Sequence, residues 1–205
     1  FMTQGFSTIL ELASYFFTVL LVLIIHFFLT YGSLLFLLTK VKLVYFYSKM
    51  KNAILFAFST ASSAATIPVT LKTVEEELKV EKSVASFSVP LGATINMDGT
   101  AIMQGVATIF IANAYGINLE ISDFISVIMV ATLASIGTAG VPGVGLIMLA
   151  MVLNQVGLPS EGIALIIGID RLLDMTRTAV NVTGDAAISC VVASSEKKIN
   201  YDYKE

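Results

Sequence analysis

The sequence predicts an all-α membrane protein in which transmembrane helices and two re-entrant helical hairpins form an inverted repeat. Three observations support this fold class. Of the 205 residues, 56% are hydrophobic and only 13% are charged, which is typical of chains that lie in lipid. Apolar runs long enough to cross a bilayer recur along the chain. The last run nevertheless carries several charged residues, and charges at membrane depth need partners, a cavity or a ligand.

Composition also excludes several classes of protein. The net charge is only −3 and no basic stripe alternates with aromatic residues, so we predict no nucleic-acid partner. A single cysteine, Cys190, excludes an internal disulfide. His26 is the only histidine and no serine lies in a Gly-x-Ser-x-Gly motif, so the sequence offers neither a His/Cys metal site nor a hydrolase nucleophile. We expect His26 to be structural, and we predict that the chain is not an enzyme.

The first transmembrane helix is predicted at residues 12–39, which carry no charge unless His26 is protonated. Lysines and aromatic residues follow at positions 40–51 and indicate a cytoplasmic boundary. Residues 53–71 are also uncharged, but their centre (STASSAATIP) is a poor continuous span because it is rich in small hydroxyl residues and contains a proline. Lysines follow this segment too, so we predict a re-entrant hairpin that enters and leaves on the cytoplasmic side.

The next segment, residues 83–117, is predicted to be a broken transmembrane helix. It is apolar but interrupted at residues 90–92 (PLG) and 96–100 (NMDGT). Asp98 is a second charge at membrane depth, and the glycine beside it favours an unwound turn whose free carbonyl groups can act as ligands.

A second re-entrant hairpin is predicted at residues 124–160, which are uncharged and have a glycine-rich centre (SIGTAGVPGVG). No lysine or arginine occurs between residues 83 and 170, so both ends of this segment are predicted on the non-cytoplasmic side. The alternative is two ordinary spans joined by a loop. Each span would be short, and the loop would have to leave the membrane.

The last transmembrane helix is predicted at residues 162–194, followed by a cytoplasmic tail at 195–205. On a helix, its polar residues fall within one narrow arc. They are Asp170, Asp174, Arg177, Thr178, Asn181 and Asp185. The alternative, a helix inside a large soluble core with internal ion pairs, is disfavoured because the rest of the chain also has the composition of a membrane protein.

The two halves of the chain share one pattern. Ser63-x-x-Thr66 and a nearby proline precede the span that carries Asp98, whereas Ser135-x-x-Thr138 and a nearby proline precede the span that carries Asp174. One hairpin is predicted to enter from the inside and the other from the outside. Secondary transporters use this plan, with the binding site where broken helices meet at the membrane midplane.

Four stretches carry the most specific signal: residues 62–70 (SSAATIPVT), 90–100 (PLGATINMDGT), 135–143 (SIGTAGVPG) and 174–185 (DMTRTAVNVTGD). In this order and spacing they resemble the glutamate transporter family, the dicarboxylate/amino acid:cation symporters. The resemblance covers nearly the whole chain. It implies that the chain begins near the end of the family's fifth span and lacks the helices through which the family forms homotrimers, so we expect a longer protein.

The resemblance further implies a sodium-coupled symporter for aspartate or glutamate in the plasma or inner membrane, in contact with lipid and with a cytoplasmic C-terminus. The substrate residues it implies are Ser62, Ser63, Thr100, Val141, Pro142, Gly143, Gly145, Asp174, Arg177, Thr178 and Asn181. The sodium ligands it implies are Gly92, Thr94, Asn96, Asp98, Ser135, Ile136, Thr138, Asn181 and Asp185. Sodium is the only cofactor expected.

Other functions are weaker hypotheses. A neutral substrate is opposed by Arg177, whose planar fork matches a substrate carboxylate, and Asp185 favours a cation site over a proton-coupled carrier. Relatives carry a further arginine at the position of Ala61 or Met175, so Arg171 is a candidate replacement. An intramembrane aspartyl protease would need two carboxylates that share a proton, which an arginine near Asp174 opposes. A channel gives no reason for closed hairpin tips.

Overall fold

The computed structural model describes residues 6–202, and within this range it contains helices and one isolated β-bridge but no strand. The all-α fold class is confirmed. The α-helices are α1 (Phe6–Ile25), α2 (Tyr31–Leu38), α3 (Leu43–Thr60), α4 (Ser63–Lys72), α5 (Lys82–Ile95), α6 (Asp98–Ala114), α7 (Ile121–Ser135), α8 (Val144–Gln155) and α9 (Ile163–Ser195). Short π-helical segments at His26–Thr30 and Thr73–Glu77 and a 3-10 turn at Ser160–Gly162 complete the helical structure of this range.

The first predicted span lies in the helix formed by α1, the π-helical segment His26–Thr30 and α2. Its stretch Ile9–Leu38 reaches a mean hydropathy of 2.4 over 18 residues and is the one described helix that is both long and apolar enough to cross a membrane. Large apolar side chains on its outer face, such as Phe17 and Leu21, are exposed. Lipid is the solvent that suits such a surface.

The first predicted hairpin forms, but it is longer than residues 53–71. Its arms are α3 and α4, and the chain turns at Ala61, which adopts a left-handed conformation with a φ of 49°. Ser62 then caps α4 by accepting a hydrogen bond from the amide of Ala65 at 3.1 Å. The lysine-rich flanks are helical as well, and Lys49 on α3 forms an ion pair of 2.7 Å with Glu77 beyond α4.

The Lys49–Glu77 pair lies in water and contributes little to stability. Both side chains are more than a third exposed, so solvent screens their attraction. The hydrogen bond and positive charge of Lys49 still hold the pKa of Glu77 below its ordinary value. The small stabilisation is therefore complete above the pKa of Glu77 in the unfolded chain, and it is lost as the pH falls through the lowered value.

The predicted broken helix consists of α5 and α6, with Asn96 and Met97 between them. The expectation that residues 90–92 also interrupt the helix is wrong, because α5 continues through Pro90. Proline removes one backbone hydrogen bond, but its fixed φ is compatible with a helix. Only the second interruption ends the helix, and α6 begins anew at Asp98.

The second predicted hairpin consists of α7 and α8, which at 15 and 12 residues are shorter than a membrane span. α7 begins with a capping box in which Glu120 and Asp123 each bond the other's backbone amide. The loop at residues 136–143 joins the two arms, and Gly137 and Gly143 have φ values of 89° and 80°, which favour glycine.

Helix α9 is the central element of the bundle. Its 33 residues make it roughly 50 Å long, and it packs against α1 to α6 and α8. The predicted polar stripe is buried, as are all side chains at residues 177–187. In this part of α9 the buried surface is thus wider than a single stripe, because helices of both halves of the chain pack around it.

The two ends of the bundle differ in charge. At one end the Ser194 hydroxyl donates to the Leu38 carbonyl at 3.1 Å, and the Glu81 amide donates to the Lys198 carbonyl at 2.8 Å. The β-bridge between Val80 and Ile199 reinforces this contact between the tail and the start of α5. The described lysines all belong to segments that reach this end, whereas α7 and α9 begin at the other end beside acidic residues.

Cysteine labelling tests the sidedness of both hairpins. We expect Lys51→Cys and Lys82→Cys to react with an impermeant reagent from the cytoplasmic side, and Asp123→Cys and Glu161→Cys to react from the opposite side, because both ends of a re-entrant hairpin face the same solution. The single native cysteine, Cys190, is buried and should give little background. Opposite sidedness within either pair would exclude the inverted repeat.

Candidate substrate and cation sites

The tips of the two hairpins meet in the interior of the bundle. The Gly140 carbonyl of the second tip accepts two hydrogen bonds from the first: one from the Ser62 hydroxyl at 2.6 Å and one from the Ala64 amide at 3.1 Å. The Gly137 amide donates to the Thr94 carbonyl of α5 at 3.0 Å. These bonds pair backbone groups that the turns leave free, as a buried site requires.

Gly140 allows this close approach because it has no side chain. A methyl group at this position would lie 2.9 Å from the Ala64 nitrogen and 3.0 Å from the Ala93 carbonyl oxygen. Both are backbone atoms, so neither can move without displacing its helix. The tip contact therefore depends on glycine at this position.

Helix α9 places a buried cluster of three charged side chains beside the tips. Arg177 is only 1% exposed. Its two terminal nitrogens bond both carboxylate oxygens of Asp170 at 2.7 and 3.2 Å, and Nη2 lies 3.0 Å from Asp174 Oδ1. This bidentate geometry fixes the plane of the guanidinium. Asp170 was predicted to lie in the polar stripe, but no role was predicted for it. Its spacing of seven residues from Arg177, about two helical turns, could have indicated this ion pair.

Asp174 connects this cluster to the second hairpin. Its Oδ2 accepts a hydrogen bond from the Gly143 amide at 3.0 Å, next to the start of α8. A methyl group at Gly145 would lie 2.9 Å from Arg177 Nη2, so the hairpin backbone also covers the guanidinium. Arg171 is 60% exposed and lies 4.0 Å from Asp174, at the edge of the cluster.

A small polar cavity lies between the two tips, α6 and α9. Its lining residues are Ala61, Ser63, Met97, Thr100, Thr138, Ala139, Gly140, Val141, Gly145, Asp174, Thr178 and Asn181. Most residues of the expected substrate set are among them. The other residues of the expected set surround the cavity. Ser62 and Gly143 take part in the tip bonds described above, and Arg177 lies behind Asp174. Pro142 is exposed on the loop between Val141 and Gly143.

Asp185 forms the centre of the first expected cation site. It is 3% exposed, and its Oδ1 accepts a hydrogen bond from Asn96 Nδ2 at 2.9 Å. The same nitrogen lies 3.3 Å from the Asn181 carbonyl oxygen. An Asp185 carboxylate oxygen and the Asn181 carbonyl oxygen thus both lie within hydrogen-bond distance of the Asn96 amide nitrogen. Gly92 is also required here, because a methyl group on it would lie 2.5 Å from Asp185 Oδ1.

Asp98, expected in a second cation site, has three donors around it. The Gly99 amide donates to Oδ1 at 2.9 Å, while His26 Nε2 and the Tyr31 hydroxyl donate to Oδ2 at 2.6 and 2.5 Å. His26 is thus an interface histidine with a specific partner. Tyr31 was not a candidate in the sequence, where nothing distinguishes it from the other aromatic residues of its helix.

The remaining expected sodium ligands lie where the second tip contacts α5. The Thr94 carbonyl accepts from Gly137, and the Thr138 amide donates to the Ser135 carbonyl at 3.3 Å. Ile136 between them is half exposed. In the described part of the chain no three His, Cys, Asp or Glu side chains form a metal cluster, so each of these candidate sites has at most single carboxylates beside backbone and amide oxygens.

Comparison with known proteins identifies the family. The profile of the sodium:dicarboxylate symporter family matches residues 1–195. The chain belongs to this family. It is 44% identical over 188 residues to excitatory amino acid transporter 3 of Mus musculus, covering 92% of this chain and 36% of the relative. It is 44% identical over 176 residues to excitatory amino acid transporter 2 of Homo sapiens (86% and 31%) and 46% identical over 175 residues to an excitatory amino acid transporter of Caenorhabditis elegans (85% and 35%).

Membership of the sodium:dicarboxylate symporters confirms the resemblance and the prediction that this chain is not an enzyme. The aspartyl protease hypothesis is therefore wrong, and its two carboxylates have separate partners: Asp174 contacts Arg177, whereas Asp98 contacts His26. The family name implies sodium as the coupling ion. The chain spans about a third of the length of the relatives it matches.

A substitution at Gly140 tests the tip contact. We expect Gly140→Ala to lower the midpoint of thermal unfolding by several degrees, since overpacking against fixed backbone costs about 1–3 kcal/mol. Gly105→Ala on α6 is the matched control, because a methyl group there meets no atom within 4 Å and alanine favours a helix. Equal midpoints for the two variants would show that the tips do not pack as described.

Proposed function

We propose that this chain forms the substrate-binding and sodium-binding part of a symporter that couples sodium entry to the uptake of aspartate or glutamate. The observation that carries the proposal is the buried Arg177, held by Asp170 and Asp174 beside a polar cavity at the meeting point of two hairpin tips. A buried guanidinium next to a cavity is suited to a ligand with a carboxylate. The named relatives are excitatory amino acid transporters, which agrees with an acidic substrate.

Binding is an exchange of ionic partners. Asp170 holds the guanidinium in a bidentate pair, while Asp174 contacts only Nη2. The distal carboxylate of the substrate takes the place of Asp174 at this nitrogen, and Asp174 turns to the substrate ammonium group. Asn181 and the backbone at Ser63 are placed to hold the α-carboxylate at the other side of the cavity. No charge is left without a partner, which at membrane depth would cost several kcal/mol.

Sodium dependence follows from the charge of the site. When ionised, Asp170, Asp174 and Asp185 exceed Arg177 by two negative charges on α9, and all four are nearly fully buried. A substrate with a net negative charge would add to this excess. Cations beside Asp185 and Asp98 offset it, so substrate and sodium each favour the binding of the other.

The hairpins act as the two gates of the site. The second hairpin, with its bond from Gly143 to Asp174, closes the cavity from the non-cytoplasmic side, and the first closes it from the cytoplasmic side. The C-terminus is cytoplasmic, in agreement with the lysines at the end of the bundle where α9 ends. We expect the full-length protein in the plasma or inner membrane as a homotrimer.

Arg177 should decide the class of substrate. We expect Arg177→Cys to lose at least about tenfold in affinity for aspartate and glutamate, because a bidentate charged contact is removed, while serine or alanine gains affinity through Asp174 and Asn181. Competition binding in the full-length protein with sodium present measures this. Arg171→Cys is the control, since Arg171 is exposed at the edge of the cluster. If Arg177→Cys kept its affinity for aspartate and Arg171→Cys lost it, Arg171 would be the residue that binds the side-chain carboxylate of the substrate.

Asp185 should govern the sodium requirement. We expect Asp185→Asn to raise the sodium concentration needed for half-maximal substrate binding by at least about tenfold, because a buried cation among neutral oxygens still needs a negative charge nearby. The shape of the side chain is kept, so the fold should survive. Substrate affinity at fixed sodium should fall in parallel because binding linkage is reciprocal. An unchanged sodium dependence would remove Asp185 from the cation site.

A further inference from the structure

The π-helical segment His26–Thr30 changes which side chains of the first span face α6. Its closing hydrogen bond runs from the Tyr31 amide to the His26 carbonyl, five residues apart. In a regular α-helix, residues five apart point about 140° away from each other. In a π-helical turn they lie on the same side. His26 and Tyr31 therefore project together, with ring centroids 4.9 Å apart in an edge-to-face contact.

Both side chains reach the same carboxylate oxygen. Asp98 Oδ2 accepts from His26 at 2.6 Å and from Tyr31 at 2.5 Å, while Oδ1 accepts from the Gly99 amide. A carboxylate oxygen has about two acceptor positions, so Oδ2 is fully occupied by these donors. A cation that binds Oδ2 has to displace one of them.

Tyr31 is the donor whose position is most restricted. It is 2% exposed, whereas the His26 side chain is 19% exposed. A methyl group at Gly184 would lie 2.5 Å from the Tyr31 hydroxyl oxygen and 2.6 Å from Asn96 Nδ2. The hydroxyl group is thus enclosed between Asp98 and the Asn96–Asp185 pair.

We propose that Tyr31 sets the sodium affinity of the cation site at Asp98. Its hydroxyl group bonds the carboxylate when no cation is bound, and sodium competes with this hydrogen bond for Oδ2. Tyr31 therefore stabilises the cation-free state and raises the sodium concentration at which the protein binds substrate. This inference rests on the proposed sodium-coupled function. It assigns a role to a first-span residue that none of the sequence motifs contains.

The test removes the hydroxyl group and keeps the ring. In Tyr31→Phe we expect the sodium concentration for half-maximal substrate binding to fall by about tenfold, the size expected for loss of a competing hydrogen bond to a charged group. A second measurement does not involve substrate: the rise in thermal midpoint on addition of sodium chloride, compared with choline chloride, should be larger in the variant. The sodium-free midpoint shows that the variant is folded, and Tyr31→Leu, which also lacks the hydroxyl, should shift both measurements in the same direction.

The control is Tyr45→Phe, which removes a hydroxyl group that donates to the Glu77 carbonyl at 2.6 Å, far from Asp98. We expect its sodium dependence to match the wild type. An unchanged sodium dependence in Tyr31→Phe would overturn the inference, and so would a higher sodium requirement, which would make the hydroxyl a sodium ligand. A wild-type protein with no sodium effect in either measurement would refute the proposed function itself.

Discussion

The need to match buried charge inside the protein governs this structure. Helix α9 carries three carboxylates and a guanidinium through the centre of the bundle, where neither water nor lipid can stabilise them. Asp170 and Asp174 enclose Arg177, the Gly143 amide reaches Asp174, and Asn96 reaches Asp185. The ion pairs form within α9 itself, whereas the two further donors come from the second hairpin and the broken helix. These two elements deliver donors to the polar side chains of the long central helix.

Those donors exist because the chain is interrupted three times at one level of the bundle. The breaks at Ala61, at Asn96 and in the loop of residues 136–143 release backbone groups that helices would otherwise use internally. The released groups bond one another, as between Gly140 and the first hairpin. What remains is a compact region of polar backbone enclosed by apolar helix surfaces, which is the setting in which non-helical backbone is tolerated at membrane depth.

The sequence was most informative where local pattern and chemistry agree. The polar stripe of α9 and the break at Asn96 could be predicted because periodicity and the NMDGT motif depend on neighbouring residues only. The lengths of the two arms of the first hairpin could not be predicted in this way. Contacts between distant residues, such as that of Lys49 with Glu77, accompany the helical flanks. The partnership of Tyr31 with Asp98 was equally inaccessible, since it requires a π-helical turn that shifts the helix phase. The assignment of individual residues to substrate or sodium stays a prediction that the variants above test.

The polar bonds that hold the second hairpin tip share one chemical property. The Gly137 amide, the Gly140 carbonyl and the Gly143 amide supply all three of its contacts with α5, the first hairpin and α9. The loop therefore makes these bonds with its main-chain atoms, and its side chains take no part in them. Residues such as Val141 can therefore change without loss of these bonds, so the side chains that line the cavity and the bonds that hold the tip can vary independently on a single loop.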